Sequence, residues 1–504
     1  MLIDGLRAAL DARGTPVECV ETHISWVLLS GGDAWKIKKP LRLDFLDFST
    51  LERRRAACEE ELRINRRTAP GLYLGVVPIT GTLQAPRIGG DGPVLEWAVH
   101  MRRFPAEAEL ARMANAGQLT ALHIDALARQ VALLHASAQR ASPTDSYNQP
   151  QALMRAAQDN FPPLAARLAG TPLADRLAAL QRWSAAEGAR LLPRMRARLA
   201  AGWVRECHGD LHLGNLLWLD GDAVLFDALE FDAQLRWIDV QADVAFLFMD
   251  LHAHGLAPLA WRFVNAWLDG TGDHAGVALL RWCAAYRALV RAKVAALRTA
   301  EPGDAHALEA ARYVDLAHGF MQVREPTLWL ASGVSGSGKS SQSQPLIERL
   351  GLIAVHSDIE RKRLFGLAPL AASTGVAGGI YGSDASARTY GQLRERARVV
   401  LEAGHSVLVD ATFLRRAHRA EFVALADALR LPCRILAFEA PEPVLRQRVR
   451  RRATAGNDAS EATEAVLERQ LAERESFTRD EQPLVTRVDT TQPVDWDGVL
   501  GSAA

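Results

Sequence analysis

A glycine-rich segment in the C-terminal part of the chain carries the clearest chemical signal. Residues 333–340 read GVSGSGKS and fit the pattern G-x-x-x-x-G-K-[ST], between a strand-like run at 327–331 and a helix-like segment at 341–350. In such a unit the backbone N–H groups of the loop face phosphates, the lysine reaches the outer phosphates and the hydroxyl ligates Mg²⁺. A plain Gly/Ser turn before a helix is the competing interpretation. The predicted nucleotide-binding residues are Gly333, Ser335, Gly336, Ser337, Gly338, Lys339 and Ser340.

A second signal lies at residues 207–217, CHGDLHLGNLL. His208, Asp210 and Asn215 follow the order H-x-D-x-x-x-x-N of a phosphotransferase catalytic loop. In that pattern Asp210 accepts the proton of a substrate hydroxyl and Asn215 supplies a neutral oxygen to Mg²⁺. Asp227 ends the next apolar run and offers the carboxylate that Mg²⁺ also needs. Each residue alone has an ordinary explanation, such as a turn-forming aspartate, but the ordered set predicts a kinase-like site.

Two lysines and two glutamates near the N-terminus could complete this site. Lys36 and Lys38 lie two apart in a strand-like run, so they share a face from which one could point at a phosphate. Glu59 and Glu61 lie in the helix-like segment 51–67, and one of them could hold a lysine in place. The sequence does not decide which lysine pairs with which glutamate. The alternatives are two solvated lysines on an edge strand and a solvated, glutamate-rich helix face.

The elements that must position these residues form a sheet-rich part followed by a helix-rich part. Strands are predicted at 26–29, 34–38, 74–77 and 95–101, and helices at 51–67, 122–139, 173–201 and 282–298. Asp239 and Asp243 flank a helix start, where they are expected to cap the helix or to brace the catalytic loop. A further helix to about residue 321 leads to a predicted domain boundary near residue 322.

Beyond residue 322 strands and helices alternate, which predicts a parallel sheet wrapped by helices, with helices from about residue 439 to the end. Asp358 follows the second strand as a candidate general base, with Arg361 one turn later as a phosphate clamp; an N-cap aspartate is the alternative. Asp410 ends the third apolar run, as expected for a residue that orients Mg²⁺. Arg448 and Arg452 lie in an arginine-dense segment that is either a lid over ATP or a plain basic helix.

Composition narrows the class of protein. A chain of 504 residues predicts two or three domains, and the balance of 59 Lys+Arg against 59 Asp+Glu favours neither nucleic acid nor an anionic membrane as a partner. The five cysteines show no C-x-x-C spacing, which argues against disulfides and zinc and favours a cytoplasmic location. The N-terminus does not look like a signal peptide, and no apolar stretch approaches the length of about 18 residues that a membrane span needs.

Residues 20–300 resemble the aminoglycoside phosphotransferase family. The matching segments are AWKIKKP at 34–40, CEEEL at 58–62, HGDLHLGN at 208–215 and FD at 226–227. The resemblance implies a bilobal, protein-kinase-like fold, use of ATP and Mg²⁺, and transfer to a hydroxyl of a small molecule, with Asp210 as base and Asn215 and Asp227 as metal ligands. The chain departs from the family pattern because Gly31 and Gly32 are the only trace of a glycine-rich loop, and the family name does not imply an aminoglycoside acceptor.

Residues 326–490 resemble the P-loop small-molecule and polynucleotide kinases, a group that includes gluconate kinase and zeta-toxin-like kinases. The matching segments are GVSGSGKS, HSDIER at 356–361, VDAT at 409–412 and the arginines at 446, 448 and 452. The resemblance implies Asp358 as base and Arg361 near the acceptor or the transferred phosphate.

Together these signals predict an α/β and α+β protein of two domains, each binding MgATP. The predicted domains are 1–321, with lobes at about 1–105 and 106–321, and 322–504. The predicted activity is phosphoryl transfer to a small metabolite such as a sugar or sugar acid, with segments 141–201 and 366–388 selecting the acceptor.

One alternative is a nucleotide-gated regulator in which one domain only binds ATP. The other is a nucleic-acid 5′-hydroxyl kinase, favoured only by the arginines at 446–452 and disfavoured by zero net charge. The sequence does not indicate an oligomeric state.

Overall fold

A computed structural model describes residues 2–12, 14, 16–43, 46–145, 149–299, 304–373, 380–455 and 459–501. The chain forms two compact units. Unit 1 comprises Met1–His254 and Tyr286–Val314, and unit 2 comprises Gly255–Ala285 and Asp315–Ala504. The predicted boundary near residue 322 stays a prediction about domain organisation.

Unit 1 begins with an antiparallel sheet that carries the predicted lysines. Its elements are α1 (Leu2–Asp11), β1 (Val17–Glu21), β2 (Ser25–Ser30), β3 (Asp33–Lys38), β4 (Arg42–Leu43), β5 (Leu46–Asp47), α2 (Leu51–Asn65), β6 (Tyr73–Gly81), β7 (Pro86–Ile88) and β8 (Val94–Arg102). The main sheet has the order β1-β2-β3-β8-β6-β7. Because side chains alternate along β3, Trp35 and Ile37 pack on the face covered by α1, whereas Ala34 joins Cys58 of α2 on the other face. The predicted β2–β3 hairpin and the helix α2 are confirmed.

The rest of unit 1 is mainly helical. The next elements along the chain are α3 (Leu110–Asn115), α4 (Ala121–Ser137), α5 (Pro150–Gln158), α6 (Phe161–Leu168), α7 (Leu173–Ala200), β9 (Val204–Glu206), β10 (Leu216–Leu219), β11 (Asp222–Leu225), α8 (Ala233–Arg236), β12 (Trp237–Asp239), α9 (Val240–Ala253), α10 (Ala257–Thr271), α11 (Val277–Arg298) and α12 (Ala305–Met321). Of these, α10, the beginning of α11 and the end of α12 belong to unit 2. The predictions of α4, α7 and α11 are confirmed. Helices α5 and α6 were not predicted; both have proline in their first turn, where the missing N–H has no helical partner to lose. In the part of the chain that the structure describes, no helix combines the length and apolar character needed to cross a bilayer.

Unit 2 contains the predicted parallel sheet. Its further elements are β13 (Leu328–Ser332), α13 (Lys339–Leu350), β14 (Ile353–His356), α14 (Ser357–Leu364), α15 (Ser383–Glu402), β15 (Val407–Asp410), α16 (Arg416–Leu429), β16 (Cys433–Glu439), α17 (Glu442–Ala455), α18 (Glu464–Glu473), β17 (Val485–Asp489) and α19 (Trp496–Gly501). The strand order is β14-β15-β13-β16-β17, and every pairing is parallel. All five residues of the central strand β13 are buried, as a strand covered on both faces requires.

One prediction for this unit is wrong. Helices were expected from about residue 439 onward, but Val485–Asp489 forms the edge strand β17, whose Val485 pairs with Ile435 of β16. A run of five residues is too short for periodicity to separate a strand from a helix end, and its pairing with β16 decides the outcome. The predicted flap at 366–388 lies partly outside the described residues; from residue 383 it is helical.

Helix α10 packs within unit 2, although it precedes the predicted boundary. Its Asn265 side chain donates to the carbonyl of Leu352 at 2.9 Å and accepts from the N–H of Ala354 at 2.7 Å. These bonds fix α10 beside the start of β14, so side chains near the C-terminal end of α10 lie close to the end of that strand.

Candidate active sites

The predicted lysines of unit 1 lie in a buried cluster of charges. Lys36 Nζ lies 2.8 Å from Glu61 Oε1 and 2.5 Å from Asp227 Oδ1. Lys38 Nζ contacts the second carboxylate oxygen of Glu61 and also Glu230. The structure therefore brings Lys36, Lys38, Glu61 and Asp227 together and adds Glu230, which sequence reasoning missed.

Glu59 does not join this cluster. It lies on the outer face of α2, where its carboxylate is 54% exposed and accepts from Arg55 Nε at 2.8 Å. Residues two apart on a helix face different directions, so only one of the two glutamates can reach the sheet. Glu59 matches the alternative of a solvated helix face, and Glu61 is the partner of both lysines.

The cluster holds its charges by mutual compensation. Burial alone would lower the pKa of Lys36, but the carboxylates of Asp227 and Glu61 raise it well above its ordinary value. Burial would raise the pKa of Glu61, but the two lysines hold it well below its usual range. Burial raises the pKa of Glu230, with Lys38 offsetting part of the effect. The two lysines are thus compensated by Glu61 and Asp227, whereas burial favours the neutral form of Glu230.

Two aspartates of the buried helix α9 accept hydrogen bonds from the backbone of the candidate catalytic loop. Both oxygens of Asp243 accept backbone hydrogen bonds at 3.0 Å, one from His208 and one from Gly209. Asp250 accepts from the N–H of Leu213 at 2.9 Å. Gly209 has φ 84°, and a Cβ there would lie 2.9 Å from a carbonyl oxygen, so the position requires glycine. The prediction that Asp243 braces the loop is confirmed.

Hydrogen bonds also tie the catalytic loop to the segment that carries Asp227. His208 Nε2 donates to the Phe226 carbonyl at 2.9 Å, and the Phe226 N–H donates to the Asn215 carbonyl at 3.1 Å. Asp227 has φ 57°, and its N–H contacts the Tyr73 hydroxyl at 3.1 Å. These bonds fix the backbone of Asp227 relative to the loop that carries Asp210.

Asp210 keeps its negative charge although burial favours the neutral acid. Asn215 Nδ2 donates to its carboxylate at 3.0 Å, and His212 Nε2 lies 3.3 Å from the same oxygen. Burial would raise the pKa of Asp210, but His212, His208 and Arg287 hold it well below its usual range. The side chain is still 40% exposed, so a hydroxyl can approach it.

The oxygens left over in this site fit a hard cation. Asn215 uses its amide nitrogen on Asp210, and its side-chain oxygen accepts no hydrogen bond from the described residues. Asp227 uses one oxygen on Lys36, and its other oxygen is likewise without a donor in the described part of the chain. One neutral amide oxygen and one carboxylate oxygen are ligands that Mg²⁺ prefers.

The glycine-rich loop of unit 2 has a geometry that only glycine allows. A Cβ on Gly336, which has φ 81°, would lie 2.7 Å from the Leu445 carbonyl oxygen, and a Cβ on Gly333 would lie 2.6 Å from Ser337 Oγ. Lys339 Nζ donates to the carbonyl of Gly333 at 2.8 Å. The predicted loop residues Gly333, Ser335, Gly336, Ser337 and Gly338 lie between β13 and α13, and Lys339 and Ser340 are the first two residues of α13.

The metal-binding candidates of unit 2 meet at the ends of neighbouring strands. Ser340 Oγ donates to Asp410 Oδ2 at 2.5 Å, and His356 Nδ1 lies 3.3 Å from the same oxygen. His356 Nε2 lies 3.9 Å from Asp269, which comes from the C-terminal part of α10. A histidine thus lies between two carboxylates at the edge where doubly wound sheets bind ligands. A serine hydroxyl beside an aspartate fits Mg²⁺ and its waters.

Charge compensation is visible here as well. Burial would lower the pKa of His356, but Asp269 and Asp410 raise it to about 9. Burial raises the pKa of Asp269 to about 6, with His356 opposing the effect. The pKa of Lys339 is lowered by burial, which Asp410 only partly offsets. His356 is therefore a half-buried cation at neutral pH.

Asp358 and Arg361 form the predicted pair on α14. Arg361 Nη1 donates to Asp358 Oδ1 at 3.0 Å, and the guanidinium lies 4.8 Å from the centre of the Tyr381 ring. The N-cap of α14 is His356, so Asp358 is not the N-cap aspartate of the alternative interpretation. Arg361 Nε is buried and has no hydrogen-bond partner among the described residues.

The arginines of α17 differ in their surroundings. Arg448 Nη1 donates to the Gly336 carbonyl at 3.3 Å and to Thr490 Oγ1 at 2.9 Å, so it lies against the phosphate-binding loop. Arg452 is half-buried and contributes to the lowered pKa of Lys339. Two further arginines of this segment, Arg446 and Arg450, pair with glutamates on the surface.

Sequence reasoning missed some residues of both sites. Glu230 follows Asp227 by three residues in the segment DALE, and this spacing was a usable signal. Asp269 precedes a glycine turn after a helix and has no motif near it. Gln470, which accepts from the N–H of Ser335 at 2.7 Å, lies 135 residues from its partner.

The two units match different family models. Residues 45–280 match a model described as "Phosphotransferase enzyme family", and residues 328–477 match one described as "AAA domain". Among solved structures, a gluconokinase from Sinorhizobium meliloti 1021 is 23% identical, with 36% of this chain and 90% of that chain covered and a TM-score of 0.26. A choline/ethanolamine kinase family protein from Mesorhizobium loti is 15% identical, with 64% and 96% covered and a TM-score of 0.39.

Similar proteins of comparable length exist in mycobacteria. The uncharacterized protein Rv2004c of Mycobacterium tuberculosis and the uncharacterized protein Mb2027c of Mycobacterium bovis are each 32% identical over 400 residues, which cover 79% of this chain and 78% of the relative. The predicted combination of a protein-kinase-like domain and a P-loop kinase domain is confirmed. The chain thus belongs to the family of these mycobacterial proteins and is a kinase-type phosphotransferase.

Proposed function

We propose that the protein transfers a phosphoryl group from ATP to hydroxyls of small molecules at two separate sites, one in each unit. The observation that carries the proposal is the pair of hydrogen bonds between the loop that carries Asp210 and the segment that carries Asp227. Asp227 in turn contacts Lys36, which pairs with Glu61. This arrangement supports a single site with Asp210 as base, Lys36 as phosphate-binding group, and Asn215 and Asp227 as oxygen ligands for Mg²⁺.

In unit 1 Lys36 is the group that would bind the phosphates, because its charge is fixed by buried carboxylates. Asp210 orients the acceptor hydroxyl and takes its proton on a carboxylate oxygen. Its low pKa makes it a weak base, which suffices because phosphoryl transfer has a loose transition state with late proton transfer. Mg²⁺, when bound by Asn215 and Asp227, neutralises charge on the phosphate oxygens.

In unit 2 the N–H groups of the glycine-rich loop and Lys339 would bind the phosphates of a second ATP. Asp358 would accept the proton of the second acceptor, and Arg361 beside it would bind the acceptor or the transferred phosphate. Ser340 and Asp410 would hold Mg²⁺, Arg448 would support the loop, and Arg452 would add positive charge beside Lys339 for the phosphates.

A small acceptor is favoured over a nucleic acid. Two of the five arginines at 446–452 that suggested nucleic-acid binding are paired with glutamates, since Arg446 pairs with Glu442 and Glu468, and Arg450 pairs with Glu464. The chain as a whole carries no net charge. A cytoplasmic location is proposed as well, because all five cysteines are free thiols.

The test is ATP consumption with product identification against sugars, sugar acids, aminoglycosides, nucleosides and 5′-hydroxyl oligonucleotides. Wild type is compared with Asp210→Asn and Lys339→Ala, and with Asp91→Asn as a control, since Asp91 is exposed. We expect Asp210→Asn and Lys339→Ala each to reduce a different product by about 100-fold or more. The control should retain both products.

Three other results would replace the proposal. ATP binding that shifts thermal stability through Lys339, with no acceptor phosphorylated, would mean a nucleotide-gated regulator. Phosphorylation of oligonucleotides that falls steeply with salt would mean a nucleic-acid kinase. Loss of every product in both variants would mean that the protein has one reaction rather than two.

A further inference from the structure

A cavity in the helical part of unit 1 lies among α5, α7, β12 and α11. Its volume is about 60 Å³, and its polar lining comes from Gln149, Gln234, Asp239 and Arg287. One buried water needs about 10–15 Å³, so the cavity has room for the end group of a small molecule. The lining residues of α5 and α7 fall within segment 141–201, in which acceptor selection was predicted.

Arg287 is a buried cation that forms no salt bridge with the residues that the structure describes. It is 4% exposed, and its guanidinium lies 4.7 Å from the centre of the Phe246 ring and 5.3 Å from that of Tyr286. Its hydrogen bonding to described residues is limited to a long contact of Nε with the Ala242 carbonyl at 3.4 Å. No carboxylate of the described residues lies within ion-pair distance of it, and its charge acts on Asp210 only from further away. A buried charge in this state is costly unless a ligand compensates it.

Four other buried arginines of the chain each have their charge neutralised by a carboxylate. Those with a carboxylate partner are Arg54 with Glu96, Arg198 with Asp239, Arg236 with Glu206 and Arg419 with Glu481. Arg287 differs from all four, although it is as deeply buried as they are. Its terminal nitrogens are therefore available to a ligand.

Asp239 lines the same cavity but does not form an ion pair with Arg287. Asp239 accepts from Arg198 Nε at 2.7 Å and from Arg198 Nη2 at 2.8 Å, and it also caps α9 through the N–H of Gln241 at 2.9 Å. Its charge is thus neutralised by another arginine. The cavity consequently carries the positive charge of Arg287.

This positive charge lies next to the candidate base of unit 1. The Phe246 ring that packs under Arg287 also contacts the His212 ring, with ring centres 5.6 Å apart, and His212 lies 3.3 Å from Asp210. Arg291, one helical turn after Arg287 on α11, also interacts with Asp210. Two arginines of one helix therefore lie around Asp210.

We propose that this cavity is the acceptor subsite of unit 1 and that Arg287 binds an anionic group of the acceptor, a carboxylate or a phosphate. The acceptor is thus a hydroxy acid or a phosphorylated polyol, and its hydroxyl faces Asp210. In the reaction the hydroxyl oxygen forms a bond to the γ-phosphorus of ATP as the bond to the bridging oxygen breaks. ADP leaves, and the hydroxyl proton passes to Asp210. This inference rests on the proposed function of unit 1.

The test compares matched acceptors in the full chain carrying Lys339→Ala, which silences unit 2. The sets are glycerol, glycerate and glycerol phosphate, and glucose, gluconate and glucose 6-phosphate, with an aminoglycoside as a cationic acceptor. We expect phosphorylation that depends on Asp210 only for the anionic members. Comparison of the acceptors that carry a carboxylate with those that carry a phosphate shows which anion the site binds.

Arg287→Met should raise the KM of the preferred anionic acceptor by about 10- to 100-fold, the value of charge-assisted hydrogen bonds, and leave the KM of ATP unchanged. Arg298→Met is the matched control, since Arg298 lies on the same helix and is exposed. If Arg287→Met does not fold, Arg287→Lys and Arg287→Gln replace it, and the lysine variant should retain more of the preference for the anion.

Two results would overturn the inference. Phosphorylation of a neutral or cationic acceptor, with an anion-to-neutral ratio that Arg287 variants do not change, would assign Arg287 a structural role while the proposed function stands. Absence of any transfer that depends on Asp210 would remove the proposed function of unit 1, and this inference with it.

Discussion

The two candidate sites use different means to hold a lysine. In unit 1 Lys36 contacts Asp227, which lies 191 residues later in the chain, and Glu61 on α2. In unit 2 Lys339 donates to the carbonyls of Gly333 and Val334, six and five residues before it. The first site thus depends on tertiary pairing of buried charges, and the second depends on the local backbone of one loop. Substitutions should damage the two sites through different mechanisms.

The largest effect is expected in the charge cluster of unit 1. Glu61→Gln removes the shared partner of Lys36 and Lys38 and should lower the free energy of unfolding of unit 1 by about 3–5 kcal/mol, because buried lysines lose their compensation. Glu59→Gln is the control and should cost at most about 0.5 kcal/mol, since Glu59 forms only an exposed pair with Arg55. Urea unfolding measures both variants. Equal losses would contradict the difference between the two glutamates.

In unit 2 the corresponding test is a single added methyl group. Gly336→Ala combines a positive φ with a Cβ placed 2.7 Å from a carbonyl oxygen, and we expect it to cost about 1–3 kcal/mol and to abolish ATP binding at this unit. Gly366→Ala has a similar φ of 70° but no neighbour within 4 Å, so it should show only the strain of about 1 kcal/mol. ATP titration and thermal unfolding measure both. Normal ATP binding by Gly336→Ala would contradict the local-backbone account.

Buried neutral histidines should make the stability of unit 2 depend on pH. Burial lowers the pKa of His405 to about 3. Between pH 6.5 and pH 3 this histidine therefore binds a proton more readily in the unfolded chain than in the folded protein. The free energy of unfolding consequently falls as the pH falls through this range. Between pH 6.5 and pH 5 this loss is about 2 kcal/mol, which His405→Phe should remove. Unfolding of both proteins across this range measures the difference. Parallel pH profiles would show that His405 does not titrate in this way.

The smallest effect is expected for Asp269, the residue that α10 contributes to the candidate site of unit 2. Asp269→Asn removes one of the two carboxylates around His356, and we expect about a tenfold loss of Mg²⁺ affinity and of activity at unit 2, because His356 is then oriented only by Asp410. Activity at unit 1 should not change. Glu348→Gln is the control, since it removes a carboxylate that pairs with Arg262 of the same helix but does not contact His356. Equal activity at unit 2 in both variants would mean that Asp269 does not position His356.

The difference between the sites also explains how much the sequence could predict. The loop of unit 2 is contiguous, so its glycines, Lys339 and Ser340 could be assigned directly from their spacing. In unit 1 the ordered set of Asp210, Asn215 and Asp227 was sufficient to predict a candidate site, whose roles stay a prediction. The choice of Glu61 over Glu59 depends on how α2 is rotated against the sheet, which local sequence does not determine.

Residues brought in by tertiary structure alone could not be predicted. Asp269 reaches the second site because Asn265 fixes α10 beside β14, and no local pattern encodes this contact. Strand β17 was expected to be helical, since its five residues gain their conformation from pairing with β16. Arg287 lies in an ordinary helical run, and its lack of a carboxylate partner is visible only in the folded protein.

The central claim is that each unit binds its own ATP. Calorimetric titration with a non-hydrolysable ATP analogue and Mg²⁺ tests it most directly. We predict two equivalents bound per wild-type chain, one for Lys339→Ala, one for Asp227→Asn and none for the double variant. A single equivalent in the wild-type protein, abolished by either substitution alone, would contradict the account.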